Sequence, residues 1–351
     1  MNTRERMKRI FEHREADRVP VSDYPWPTTL KRWKREGMPD VGFEEYFDLD
    51  MIVDIGVDNS PRFPAEVLEE TEAYKLYTTS FGATLKQFRN ITSTPEFVDF
   101  WIKTPEDWEK AKKDIFPSAD RINWARLEKN YGQWRERGCW IQAGGWFGFD
   151  VTHSWIVGTE RVLMALVTDP EWVMDMFGTF LDVNLRLLDM VWDKGYTFDS
   201  FRWCDDMGYK NNQFFSVAMY RELLKPFHQR AIDWAHGKGI KAHLHSCGDV
   251  NPFVPELVDM GLDCLNPLEV KAGMDPLALK ARYGDALVLH GGIDAVNWSD
   301  TDRIIAEIEE KLPVLKENGG YIFASDHSIP DEVSFRNICA IMEKVKKAGA
   351  Y

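Results

Sequence analysis

From residue 139 onward, short apolar runs at 139–143, 199–204, 240–246, 262–265, 287–290 and 320–324 alternate with longer segments whose apolar positions recur at helical spacing. A buried strand needs only a brief continuous apolar run, whereas an amphipathic helix needs a stripe every three or four residues, so the pattern predicts strands separated by helices. The helical segments are one beginning near Asp169-Pro170, then Val217 to His236, Pro252 to Met260, Pro276 to Tyr283 and Asp300 to Lys316. Strands joined in this way are parallel and connected by right-handed crossovers.

The earlier part is less regular. Thr3 to Glu15 reads as a charged amphipathic helix, and Pro20 then makes 18–21 extended. The run 22–30, SDYPWPTTL, predicts a loop shaped by its prolines. Met51 to Val57 suits a buried strand, Ala73 to Asn90 alternates like antiparallel strands about Ser80-Phe81-Gly82, and Thr104-Pro105-Glu106-Asp107 starts a helix. With these strands added the count comes to about eight, which favours an α/β fold of the closed (β/α)8 TIM-barrel type with a decorated amino-terminal section. The expectation is a single domain over 1–351. No GxGxxG or GxxxxGKS segment occurs, so dinucleotide and P-loop sites find no support.

Charge and cysteine content narrow the partners. A net charge of −14 and a pI near 5.1 disfavour nucleic acid and anionic membrane surfaces. No apolar run approaches the roughly 18 residues of a membrane span, and the charged amino terminus lacks the apolar core of an export signal. Five cysteines, odd in number and without a CxxC, are unlike a disulfide framework and fit a reducing cytoplasm.

Candidate chemistry collects just past the predicted strands. Asp205 and Asp206 follow the second of them, Cys247 stands beside His245 after the third, then come Glu269, Asp294, and Asp326 with His327. In a barrel the carboxyl ends of the strands converge on one mouth. Asp205, Asp294 and Asp331 fit helix caps equally well. In KAHLHSCGDV, His243, His245 and Cys247 alternate with apolar residues and so share one face of a strand. His245, Cys247 and His327 would supply two imidazoles and a thiolate to zinc and leave one tetrahedral position open, as catalytic sites do. Glu269 and Asp326 are alternative ligands or groups that orient one. His243 is expected in the barrel interior, and His13, His228 and His236 on helix surfaces. Trp26, Trp140, Trp146, Trp155 and His153 lie near strand ends, a density that suits a flat aromatic ligand.

Five stretches, CDDMGYKNN (204–212), YRELLKPFHQRAIDWAHGKGIKAHLHSCGDV (220–250), GLDCLNPLEV (261–270), LHGGIDA (289–295) and GGYIFASDHSIPDEVSFRN (319–337), resemble the uroporphyrinogen decarboxylase-like superfamily over nearly the whole chain. That resemblance implies a (β/α)8 barrel and one of two activities, porphyrinogen decarboxylation or zinc-dependent methyl transfer with a corrinoid protein. The arginine-bearing RQAGR segment of the decarboxylases is replaced here by SDYPWPTTL, while His245 and Cys247 match the H-x-C of the methyltransferases. The late cysteine of that branch is His327 in DHSIP, so the third ligand stands open among His327, Glu269 and Asp326. The resemblance thus implies a zinc methyltransferase acting on a small methoxylated or methylated compound, with Asp206 and Glu269 catalytic and Trp26, Trp146, His153 and Asp294 around the substrate. No DxHxxG corrinoid motif occurs, so the cobalt would come from a partner protein; a homodimer is compatible with this reading. The rivals are a metal-free decarboxylase of a smaller substrate using Asp206, and a non-catalytic ligand-binding barrel.

Overall fold

A computed structural model describes residues 1–89 and 94–351. Its frame is a curled parallel sheet of β1 (Ile52–Ile55), β2 (Trp140–Trp146), β3 (Ser200–Cys204), β4 (Lys241–His245), β5 (Cys264–Asn266), β6 (Val288–His290) and β7 (Tyr321–Ile322), ordered along the sheet as along the chain. Each connection carries a helix, notably Pro170–Asp193, Lys225–Gly237, Val254–Asp259, Pro276–Tyr283 and Thr301–Lys316. Phe201, Trp203, Ala242, Leu244, Leu265 and Leu289 face those helices and are fully buried in the main core. Alternate residues face inward, where Trp140, Cys264, Val288 and Ile322 form a separate apolar cluster plugged by Met7, Ile10 and Phe11 of the helix Thr3–Phe11. The register sets Arg202, His243 and Cys264 at one level and Cys204, His245 and Asn266 at the next.

Residues 20–22 lie against both edges of this sheet. Phe323 N–H donates to the Pro20 carbonyl at 2.9 Å and Ser22 N–H to that of Phe323 at 2.9 Å, while Asp50 N–H reaches the Val21 carbonyl at 3.2 Å. A four-stranded antiparallel sheet, Val67–Glu70, Tyr74–Thr78, Ala83–Phe88 and Glu96–Phe100, stands between β1 and β2 in the chain. No helix among the described residues is long and apolar enough to cross a membrane.

Several expectations need correction. The opening helix stops at Phe11, and His13 falls beyond it in left-handed backbone, φ 50°. The predicted loop 22–30 runs into a helix, Pro27–Arg35, because a proline at the first helical position needs no N–H partner. The long helix before β4 contains a π turn, Tyr220–Leu224, next to Pro226, whose missing N–H disrupts the i→i−4 ladder. Trp140 starts β2 and stacks on Phe11 at 5.2 Å, far from the strand ends that hold the polar residues. His228, expected at a surface, is fully buried against Asp205. Asn90, the end of the predicted antiparallel run, lies outside the described residues.

Candidate metal centre

β4 ends with His245, and the turn beyond it returns Cys247 to the same side, with Sγ 3.4 Å from His245 Nε2. The turn is tight because Gly248 takes a positive φ of 82° and a Cβ there would lie 2.1 Å from the Gly208 carbonyl carbon. Cys247 N–H donates to Asp206 Oδ1 at 2.8 Å and Gly248 N–H to Glu269 Oε2 at 2.7 Å, so carboxylates from the ends of β3 and β5 grip the turn.

Two sets of ligating atoms result, and Cys247 belongs to both. Asp206, His245 and Cys247 form one, and Cys247, Glu269 and His327 the other; within each, one ligand atom per residue lies within 4.8 Å of the rest. The expected trio therefore meets through Cys247, with His245 on one side and His327 on the other. Asp326, the alternative ligand, accepts Val270 N–H on Oδ2 and Ala295 N–H on Oδ1, both at 2.9 Å, and so works as a clamp between two loops.

Asn266 and the Arg202 guanidinium, at 3.0 Å, both meet Nδ1 of His245, so Nε2 is the nitrogen left facing Cys247. Asn266 Nδ2 donates to the His290 carbonyl at 3.1 Å, which turns Oδ1 toward His245 Nδ1 at 2.5 Å and the Arg202 guanidinium at 3.2 Å. With Nδ1 so engaged, Nε2 is the nitrogen placed to ligate a metal. Burial, with Arg202 second, pushes His245 down to about 3 and keeps it neutral. Burial first, then Asp206 and Glu269, push the Cys247 thiol well above its usual range. A cation would reverse that, since a coordinated thiol gives up its proton. The donor set of soft sulfur, imidazole and carboxylate fits zinc.

The remaining expected residues are placed as follows. Trp146 donates to Asp150 at 2.7 Å and packs edge-on against Phe81 and Trp155, at 5.1 and 5.2 Å. It also lines a cavity of about 360 Å³ with Phe81, Asp54, Asn59, Arg202 and Cys204, adjoining the centre through Arg202. Trp26 is half-buried and donates its backbone N–H to Ile329, in the loop that carries His327. His153 is buried in a π turn, Thr152–Ile156, stacked on Phe149 at 4.4 Å and 3.0 Å from Thr159 Oγ1. Asp294 caps the turn 295–299 by accepting Val296 N–H, the capping role that its sequence allowed. Asp205 is buried, accepting Asp150 N–H at 2.7 Å and lying 2.8 Å from His228.

Three contributors escaped the sequence reading. Asn266 stands just past its predicted strand but is not ionisable, and Arg202 lies inside a strand whose alternation was not followed as that of KAHLHSCGDV was. Asp150 was hidden because β2 runs on through Gly144-Gly145 to Trp146; counted from there, it too stands just past a strand end. Burial, then Asp206, pushes Asp150 up to about 7, and burial pushes Asp206 to about 6.

A family model described as uroporphyrinogen decarboxylase (URO-D) matches residues 151–348. Among solved structures, a methyltransferase from Methanosarcina mazei superposes with a TM-score of 0.65 at 15% identity, covering 99% of each chain, which shows a shared fold. A D-psicose 3-epimerase crystallised with D-fructose overlaps at a TM-score of 0.30 and 11% identity over 64% of this chain and 81% of its own, too little to bear on either fold or chemistry. No curated protein matches the sequence.

Proposed function

The chain belongs to the uroporphyrinogen decarboxylase family, and from that premise we propose that it is a zinc-dependent methyltransferase, taking a methyl group from a small methoxylated or methylated compound and delivering it to the corrinoid of a separate protein. The observation that carries this reading is the sharing of Cys247 between an imidazole on β4 and the pair Glu269 and His327 beyond β5 and β7. The name of the Methanosarcina structure agrees with it. The hydrogen bonds of residues 20–22 to both sheet edges support a closed eight-stave barrel and one domain over 1–351.

Zinc held by His245, Cys247 and His327, with Glu269 at hand, would supply Lewis acidity to the atom that the methyl group leaves. The chain's own residues do the rest. Asn266 engages His245 Nδ1 and leaves Nε2 for the metal, and Asp206 and Glu269 fix the Cys247 turn through its N–H groups. Phe81, Trp146 and Trp155 form an apolar wall beside the cavity, suited to one face of an aromatic donor, while Arg202 and Asp54 give its lining polar points. The corrinoid comes from a partner, because the chain has no DxHxxG segment.

The test is metal content. Purified protein should carry about one zinc per chain, and Cys247→Ala should lose it while unfolding cooperatively. Full zinc occupancy in that variant would contradict the assignment. A metal-free decarboxylase is the second reading, favoured by the neighbouring Asp150 and Asp206 carboxyls beside Trp146. It requires turnover of a carboxylated substrate that survives complete zinc removal.

A further inference from the structure

On the inner face of β4, β5 and β6 lies a group that the proposed reaction does not use, His243 and Cys264 one level below His245 and Asn266, and His290 level with Asn266. His243 and Cys264 are partners in the register of β4 and β5, and His290 ends β6. Their ligating atoms lie within 4.8 Å of one another, and the two imidazole centroids are 5.4 Å apart. All three are buried, with exposures of 3%, 0% and 7%.

Two of the three ligating atoms point to an occupant. His243 Nε2 and His290 Nδ1 are buried without a hydrogen-bond partner. The other nitrogen of His290 lies 3.5 Å from the Ser22 carbonyl, which assigns the proton to Nε2 and a bare lone pair to Nδ1. A buried nitrogen without a partner is costly, and here two stand together beside a thiol. We propose that His243, Cys264 and His290 form a second, interior site for a soft monovalent cation of the Cu(I) type, ligated through His243 Nε2, His290 Nδ1 and the Cys264 thiolate.

Charge selects the monovalent ion. The charged group that acts on both histidines and on Cys264 is the Arg202 guanidinium. Asp263, which also acts on Cys264, is engaged by Lys241, by His236 and by Ala242 N–H. A divalent ion with one thiolate would add a net positive charge next to that arginine in a dry interior, where uncompensated charge is expensive. Cu(I) with one thiolate is neutral, and two imidazoles with a thiolate suit its preference for soft ligands and low coordination number. Binding exchanges the Cys264 S–H proton for the metal, and the proton leaves to solvent; no electron is transferred.

The experiment separates this site from the one at the mouth. The Cys247→Ala chain, which lacks the thiol shared by both mouth sets, is incubated anaerobically with Cu(I) supplied as its acetonitrile complex, passed through a desalting column and analysed for metal. About one copper per chain is expected, falling at least tenfold in Cys247→Ala/Cys264→Val. X-ray absorption should show one sulfur and two nitrogen neighbours. Should the Cys264→Val chain fail to fold, the absorption spectrum of the Cys247→Ala chain alone decides. Absence of retained copper, copper without a sulfur neighbour, or retention of zinc in its place under competition would overturn the proposal. A mouth that takes up no zinc in the parent chain, beside a filled interior in Cys247→Ala, would contradict the methyltransferase reading and leave this one standing.

Discussion

Asn266 shows how much a single amide settles. Because its nitrogen is committed to the His290 carbonyl, its oxygen has to face His245 Nδ1, and with that nitrogen engaged Nε2 is left for a metal. Asn266→Ala is expected to weaken zinc binding about 10- to 100-fold, read by competition with a chromophoric chelator; unchanged affinity would show that the ring is held by other groups. Asp23 makes a second prediction. It is buried, accepts Ser325 N–H, Ser325 Oγ–H and Tyr24 N–H, and holds the loop that carries His327; burial nonetheless pushes it up to about 6. The folded state then binds this proton more tightly than the unfolded state does, so stability falls as pH rises from about 4 to about 6, by roughly 3 kcal/mol in total. Asp23→Asn should lack that component, and denaturation midpoints at pH 4 and pH 7 compared with the parent would reveal it; identical pH dependence would refute the assignment. The gathering of His245 and His327 about Cys247 was legible because residues just past parallel strands converge on one end of the sheet. Asn266, Arg202 and Asp23 were not, since only the register says which polar side chains turn inward.

At the scale of elements, the β2–helix connection depends on a buried acceptor. Gly148 has a positive φ of 92°, and a Cβ there would lie 2.1 Å from Asp205 Oδ2, so the backbone passes hard against that carboxylate. Asp205 also takes Asp150 N–H and pairs with His228. Asp205→Ala would leave those groups buried without partners and should cost about 3–5 kcal/mol, measured by urea unfolding; a loss below about 1 kcal/mol would mean that water replaces the carboxylate. The strand–helix rhythm after residue 139 was legible because each helix buries one stripe against each strand. Less legible were Pro27–Arg35, whose proline reads equally as loop or helix start, and the edge strands Val67–Glu70 and Glu96–Phe100, which are exposed and so carry little hydrophobic pattern. The helix Phe335–Gly349 went unread although its apolar positions are regular.

For the molecule as a whole, residues 20–22 lie between the first and last strands of the sheet, and Asp50 anchors them there. Its carboxylate is fully buried and accepts from Arg6, from Arg18 at 2.6 Å and from Val21 N–H at 2.9 Å, with Asp17 completing the network on Arg6. Asp50→Ala should destabilise the protein by about 3–5 kcal/mol and expose residues 18–22 to proteolysis before the rest; uniform proteolysis would argue that this segment is not what joins the sheet edges. The overall plan was legible because chain order matches sheet order, whereas the join at residues 20–22 was not, since it rests on a few hydrogen bonds and one buried acid. The proposed zinc-dependent methyl transfer to a partner's cobalt is measured by mixing the zinc-loaded protein and a panel of methoxylated aromatics with a Co(I) corrinoid protein and following methyl–cobalt formation by absorbance. Methylation is expected with at least one methoxy donor, abolished by chelation or Cys247→Ala and restored to the chelated wild type by zinc. Methylation at an equal rate in the chelated protein would contradict the proposal.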